Sequence, residues 1–303
     1  MTPAMTLDPN VVTVIDGGTG TEIQRRGVPM DDRTWCAEAN LLAPDVVRDV
    51  HRTYVEAGAQ LLIANTFASS PFLFSHLERL DELAGIDQRA VELAREAADG
   101  QVPVAGSFST MRPGPAGSDR TDLSREWPET EARTLCRRKA EVLAGAGVDL
   151  IVMEMMRDTD YSVWATEAAM ETGLPVWVGL AFERNDAGAL VGWSRPDCAV
   201  DDVVQALAAI GPELMAVMHT ELNDTTAAID AARAHFTGPL GAYPESGYFA
   251  RPEWVFVDTV SVADFVAAAR GWIDQGVTVV GGCCGITPDH IAGLAAELRP
   301  LLS

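Results

Sequence analysis

Eight short runs of apolar and β-branched residues recur along the 303-residue chain, and helical segments alternate with them from end to end. The runs are 11–16, 60–67, 102–108, 149–155, 175–182, 214–219, 239–243 and 277–282. Apolar residues at helical spacing mark 44–57, 78–98, 129–146, 158–171, 201–209, 225–235, 262–275 and 288–298. Several helices hand over to the next strand through a glycine, at Gly58, Gly147 and Gly276, which is a stop signal. The last helix opens on Thr287 and Pro288, a hydroxyl for the N-cap and a proline where its missing N–H costs least. Strands this apolar cannot face water on either side, so they need a parallel sheet covered by helices, either doubly wound or closed. The regular alternation favours closure and predicts an α/β fold, a (β/α)8 TIM barrel. One domain is expected over residues 1–303, with 1–9 as a flexible tail.

Composition narrows the function. With 44 acidic against 22 basic residues the net charge is -22, which excludes a basic nucleic-acid surface. An apolar content of 48% supports a large packed core rather than disorder. The longest apolar stretches, such as 176–182, fall far short of the roughly 20 residues of a membrane-spanning helix, so no membrane partner is expected. The opening MTPAMTLDPN has neither a basic start nor an apolar stretch, so no secretory signal is read and the cytoplasm is the expected location. Five cysteines make no regular disulfide framework, and the adjacency of Cys283 and Cys284 suits metal or redox chemistry better.

The chemically unusual residues fall at the C-terminal ends of the expected strands, where barrel enzymes place their sites. They are Asp16-Gly17-Gly18-Thr19, Asn65-Thr66, Glu154, His219 and Gly281-Gly282-Cys283-Cys284-Gly285. Adjacent thiols on a glycine-rich turn can be aimed at one ion, the bland alternative being two small thiols packed under the last helix. Two thiolates do not complete a tetrahedral ion, so a third ligand is expected from a neighbouring strand end, and His219 is the best placed. The fourth position is left for substrate. His51, His76, His235 and His290 fit solvated or capping roles, and Cys36, Cys136 and Cys198 read as ordinary core or surface thiols. Asp16-Gly17-Gly18-Thr19-Gly20 lacks the third glycine of a dinucleotide fingerprint, since Thr21-Glu22-Ile23 follows. Its backbone N–H groups suit a carboxylate instead, and Asp16 with Glu154 offers two negative charges to an ammonium group. For Glu154 the alternative is a salt bridge to Arg157 or Arg184. Residues 112–125, rich in Gly, Pro, Ser and Asp, predict a long surface loop, either a lid or an excursion without a role.

At these residues the sequence resembles the homocysteine S-methyltransferase family, zinc-dependent barrel enzymes. The motifs are Asp16-Gly17-Gly18-Thr19-Gly20-Thr21, Ala64-Asn65-Thr66-Phe67, Val152-Met153-Glu154, Tyr243-Pro244-Glu245-Ser246-Gly247 and the segment from Gly281 to Ile291. The resemblance implies that Cys283 and Cys284 ligate Zn²⁺, that Asp16 and Glu154 hold an amino acid's ammonium, and that Gly17 and Gly18 receive its carboxylate. It implies transfer of a methyl group from a small activated donor, such as S-methylmethionine, S-adenosylmethionine or a betaine, to a thiol such as homocysteine, giving methionine. Two departures stand out. Met218-His219 occupies the place where the family usually has Asn-Cys, so an imidazole replaces a thiolate and the site loses one negative charge. Glu245 stands where the family's Tyr-Pro motif commonly continues with Asn, and with Tyr243 it is a candidate for attracting a cationic donor at the rim. Phe182, Trp193, Tyr243 and Tyr248 are candidate aromatic faces for a sulfonium or quaternary ammonium. Competing readings are a zinc hydrolase, a methyltransferase-like enzyme acting on a different thiol or donor, and a non-catalytic thiol- or metal-binding protein.

Overall fold

The computed structural model describes residues 11–115, 120–122, 124–250, 255–257 and 259–299. The tail expected at 1–9, and residues 116–119 and 123 of the expected surface loop, lie outside the described residues. All eight expected strands form: β1 (Thr13–Val14), β2 (Leu62–Ala64), β3 (Val104–Ser109), β4 (Leu150–Met156), β5 (Val176–Leu180), β6 (Leu214–Glu221), β7 (Leu240–Glu245) and β8 (Val277–Val280). They make one sheet in the order β1-β8-β7-β6-β5-β4-β3-β2, with every neighbouring pair parallel. The sheet curls until its edges touch: Ile15 bridges Leu61, Gln60 N donates to Val14 O at 2.7 Å, and Asp16 N donates to Leu61 O at 3.2 Å.

Burial on both sheet faces explains why the strands read as continuous apolar runs. Along β4, Leu150 and Val152 pack among the inward residues, whereas Ile151 and Met153 join the larger core beneath the helices. β6 repeats this pattern, with Leu214, Ala216 and Met218 inward and Met215 and Val217 outward, as a two-residue period requires. Helices Pro44–Glu56, Leu83–Ala98, Glu129–Gly145, Tyr161–Met170, Val200–Ala208, Leu222–His235, Val262–Asp274 and Pro288–Leu298 follow the strands. The stop glycines at 147 and 276 take φ +83° and +88°, conformations that any Cβ would strain. Thr287 and His290 close a reciprocal cap on the last helix, as expected for a capping histidine.

Three features differ from the sequence expectation. The helix expected from residue 78 begins at Leu83, because Glu78 takes a left-handed φ of +56° that ends the short helix Pro71–His76. The run 175–182 breaks after Leu180 into a second, antiparallel sheet of Phe182–Arg184, Leu190–Gly192 and Arg195–Ala199, whose strands are too short to carry a period. His51 is neither solvated nor capping: it is fully buried, its ring nitrogens have no hydrogen-bond partner among the described residues, and burial pulls its pKa down to about 4. Among the described residues no helix is long and apolar enough to cross a membrane.

A buried ion pair fixes the chain after β2. Lys139 Nζ lies 2.7 Å from Asp87 Oδ2 and donates to the carbonyls of Thr66 and Ser69, each at 3.0 Å. Both charged side chains are wholly inaccessible, so the pair locks two helices to one strand end.

Candidate thiol and metal site

The turn after β8 is held from both sides by backbone hydrogen bonds. Gly282 N donates to Asp16 O at 3.0 Å, Cys283 N to Pro244 O at 2.9 Å, and Ser246 N to Cys284 O at 2.9 Å. The ends of β1 and β7 therefore clamp the two cysteines between them. Gly18 lies so close that a Cβ there would stand 2.6 Å from the carbonyl oxygen of Cys283, well inside contact distance. From β6 comes His219, at φ +41°, with the edge of Trp193 against its ring at 4.6 Å. The ligand atoms of His219, Cys283 and Cys284 all lie within 4.8 Å of one another. Two sulfurs and an imidazole suit a thiophilic four-coordinate ion and leave one position for an incoming group. A hydrogen bond with Cys284 and the neighbouring His219 hold the Cys283 thiol well below its ordinary pKa.

Glu154 and Asp16 bring two buried carboxylates to the same place. The Glu154 carboxylate accepts from the Ser107 hydroxyl, and burial, with the nearby Cys283, raises its pKa to about 8. Asp16 accepts from Ile63 N at 2.8 Å, and burial, with the charge of Glu154, raises it well above the usual range. No Lys or Arg forms an ion pair with either among the described residues. The basic partners considered for Glu154 are engaged elsewhere, Arg184 with Asp224 at 2.6 Å and Arg157 with the Thr121 hydroxyl. Two buried carboxylates without a cation form a site short of positive charge.

Other expected site residues divide. Gly17, Gly18, Thr19, Asn65 and Glu154 line one pocket with His219, Cys283 and Cys284. The Asn65 amide itself is committed to Cys36 O and Asn40 Oδ1, each at 3.0 Å, and Cys36 Sγ donates to its oxygen at 3.1 Å. Thr66 is turned into the structure, donating to Ser107 O at 2.8 Å. Tyr243 is buried among the inward strand residues, its hydroxyl without a hydrogen-bond partner among the described residues. Glu245 is not a solvated rim carboxylate: it is 5% exposed and places Oε2 3.0 Å from His219 Nδ1. Of the candidate aromatic faces, Phe182 is completely buried, Trp193 has the Arg120 guanidinium 4.7 Å from its centroid, and Tyr248 is exposed. The aromatics that line the pocket are Trp35 and Phe67, edge to face at 6.2 Å, with Met111, Met155 and Met218 beside them. Trp35 and Met111 lie outside the helices and strands of the sheet and carry no period, so nothing in the sequence marked them, whereas Phe67, Met155 and Met218 were read there only as motif or strand residues. Gly20 packs against the Trp35 ring so closely that a Cβ there would clash with it.

Fold and site together define a parallel α/β protein with a cluster of two cysteines and a histidine, spaced as metal ligands would be, at the carboxyl ends of its strands. The homocysteine S-methyltransferase family profile matches residues 13–298, and the chain belongs to that family of methyltransferases. Selenocysteine methyltransferase of Astragalus bisulcatus is 29% identical over 313 residues, covering 93% of this chain and 90% of its own. Betaine–homocysteine S-methyltransferase 1 of Xenopus laevis is 28% identical over 312 residues, covering 97% of this chain and 74% of its own. Among solved structures, the metallated form of the homocysteine methyltransferase MmuM from Escherichia coli has a TM-score of 0.74 and 26% identity, covering 94% of this chain and 96% of that one.

Proposed function

We propose that the protein is a zinc-dependent S-methyltransferase, a single closed (β/α)8 barrel that methylates an amino-acid thiol such as homocysteine. The observation that carries this reading is the meeting of His219, Cys283 and Cys284 in one pocket with Glu154, which has no Lys or Arg ion-pair partner among the described residues. Asp16 stands behind that pocket as a second negative charge, and the two carboxylates hold the substrate's ammonium. Backbone N–H groups about Gly17, Gly18 and Thr19 receive its carboxylate, which orients the thiol towards the sulfur ligands. Cys283, Cys284 and His219 would hold the zinc, which would supply Lewis-acid activation of a thiol that, at a pKa of about 8.5, is only a few per cent ionised at pH 7. The substrate sulfur attacks the donor methyl in line. A new S–C bond forms, the donor's S–C or N–C bond breaks with its electron pair leaving on the neutral product, and the thiol proton passes to solvent.

The donor is a small molecule with a cationic methyl-bearing centre, S-methylmethionine, S-adenosylmethionine or a betaine, and the faces of Trp35 and Phe67 give that centre a place to bind. The free cysteines fit a reducing cytoplasm, where reduced thiol substrates are found. A zinc hydrolase has no general need of the Asp16 and Glu154 ammonium pocket, which weighs against that rival. The test is methyl transfer to homocysteine and to selenocysteine across these donors, with the zinc content of the same samples measured. Transfer with about one zinc per chain is expected, and its loss in His219→Ala together with metal. Bound zinc without transfer to any acceptor would favour a binding protein.

A further inference from the structure

The two positions at which this chain departs from its family's motifs, His219 and Glu245, touch each other. They lie on neighbouring strands whose pairing slips between them: Tyr243 faces Met218, but Glu245 faces Glu221, so β6 carries extra backbone at His219. Such a bulge re-aims a side chain, and here it accompanies the left-handed φ of His219. The result is the 3.0 Å approach of Oε2 to Nδ1, with both side chains nearly inaccessible. Cys283 Sγ is farther from the same nitrogen, at 3.8 Å, a long sulfur contact beside the closer carboxylate. Meanwhile the residues on either side of Glu245 are tied to the cysteine turn, Pro244 O by Cys283 N and Ser246 N by Cys284 O, both at 2.9 Å. One residue thus joins all three ligands, two through its flanking peptides and the third through its side chain.

Resting on the zinc–thiol reading above, we propose that Glu245 is a positioning residue. It accepts the Nδ1 proton of His219, sets the ring nitrogen that keeps its lone pair for the metal, and returns the negative charge lost when imidazole stands in place of a thiolate. Ligating imidazoles are commonly oriented by a carboxylate on their second nitrogen, and removing such a partner costs about 10- to 100-fold in metal affinity. The rim role suggested for Glu245 by its sequence position gives way to this one.

The experiment compares zinc affinity, by chelator competition, and cobalt absorption spectra in the wild type, E245Q, H219C and H219C/E245Q. Loss of about 10- to 100-fold in E245Q is expected, with an altered cobalt spectrum. In the H219C background the same change should move affinity by less than about threefold, since no imidazole is left to orient. Wild-type affinity in E245Q, or an equal loss in both backgrounds, overturns the proposal. A second measurement needs no variant: long-range nitrogen–proton NMR on the zinc-loaded wild type should show His219 protonated at Nδ1, and metal at Nδ1 overturns it. A wild-type chain that takes no zinc removes the parent reading as well, whereas zinc bound equally by the wild type and E245Q removes only this one.

Discussion

At the scale of single residues, Glu154 is held in a protonation state that an empty pocket prefers and a bound ammonium reverses. Burial raises it to about 8, and a cationic ligand at hydrogen-bonding distance pulls it back down. Glu154→Gln keeps the shape but not the charge, so KM for homocysteine should rise by about 10- to 100-fold, in line with roughly 1.4 kcal/mol per tenfold. Steady-state kinetics with a thiol that lacks the amino group gives the control, which should be indifferent to the change. His51 makes a prediction unconnected with the site. Its pKa is lowered from 6.5 to about 4 by burial, so as pH falls through 6.5 the unfolded chain takes up a proton that the folded chain refuses. Folding free energy should therefore drop by about 2 kcal/mol between pH 7 and pH 5 from this group alone. A His51→Gln variant whose urea midpoint falls as steeply as the wild type's over that range would refute the assignment.

Between elements, the Lys139–Asp87 pair fastens Leu83–Ala98 and Glu129–Gly145 to the chain leaving β2, next to the Asn65 wall of the pocket. Lys139→Met should cost about 3–5 kcal/mol in urea denaturation, because it strands a buried carboxylate, whereas adding Asp87→Leu should recover most of the loss. The strands were legible in the sequence because both their faces are apolar, and the helices between them because their apolar residues recur at helical spacing and several stop at glycines. The antiparallel sheet 182–199 was not, since a three-residue strand gives no period and its place is set by contacts such as Phe182 N with the Thr220 hydroxyl at 3.1 Å. The sulfur ligands were legible as adjacent residues in a glycine turn. Their link to Glu245 was not, because it depends on a pairing slip between β6 and β7 that side-chain patterning does not record.

For the molecule as a whole, a net charge of -22 gives a field that draws cations and repels anions over a Debye length of about 10 Å at 0.1 M salt. Among the proposed donors, the sulfonium amino acids carry net positive charge and a betaine carries none. Raising ionic strength should then lower kcat/KM for S-methylmethionine several-fold and leave a betaine nearly unchanged, and equal salt dependence for both would separate steering from this charge. The sheet places first and last strands side by side, β1 against β8, so that Asp16 O receives Gly282 N at 3.0 Å. During synthesis, a ribosome that has not yet delivered β8 exposes a nascent chain with neither sulfur ligand and with β1 missing a neighbour. The cysteine–histidine cluster is accordingly assembled only once β8 and the turn after it have been made, and a stop anywhere upstream of that turn leaves the earlier strands without it.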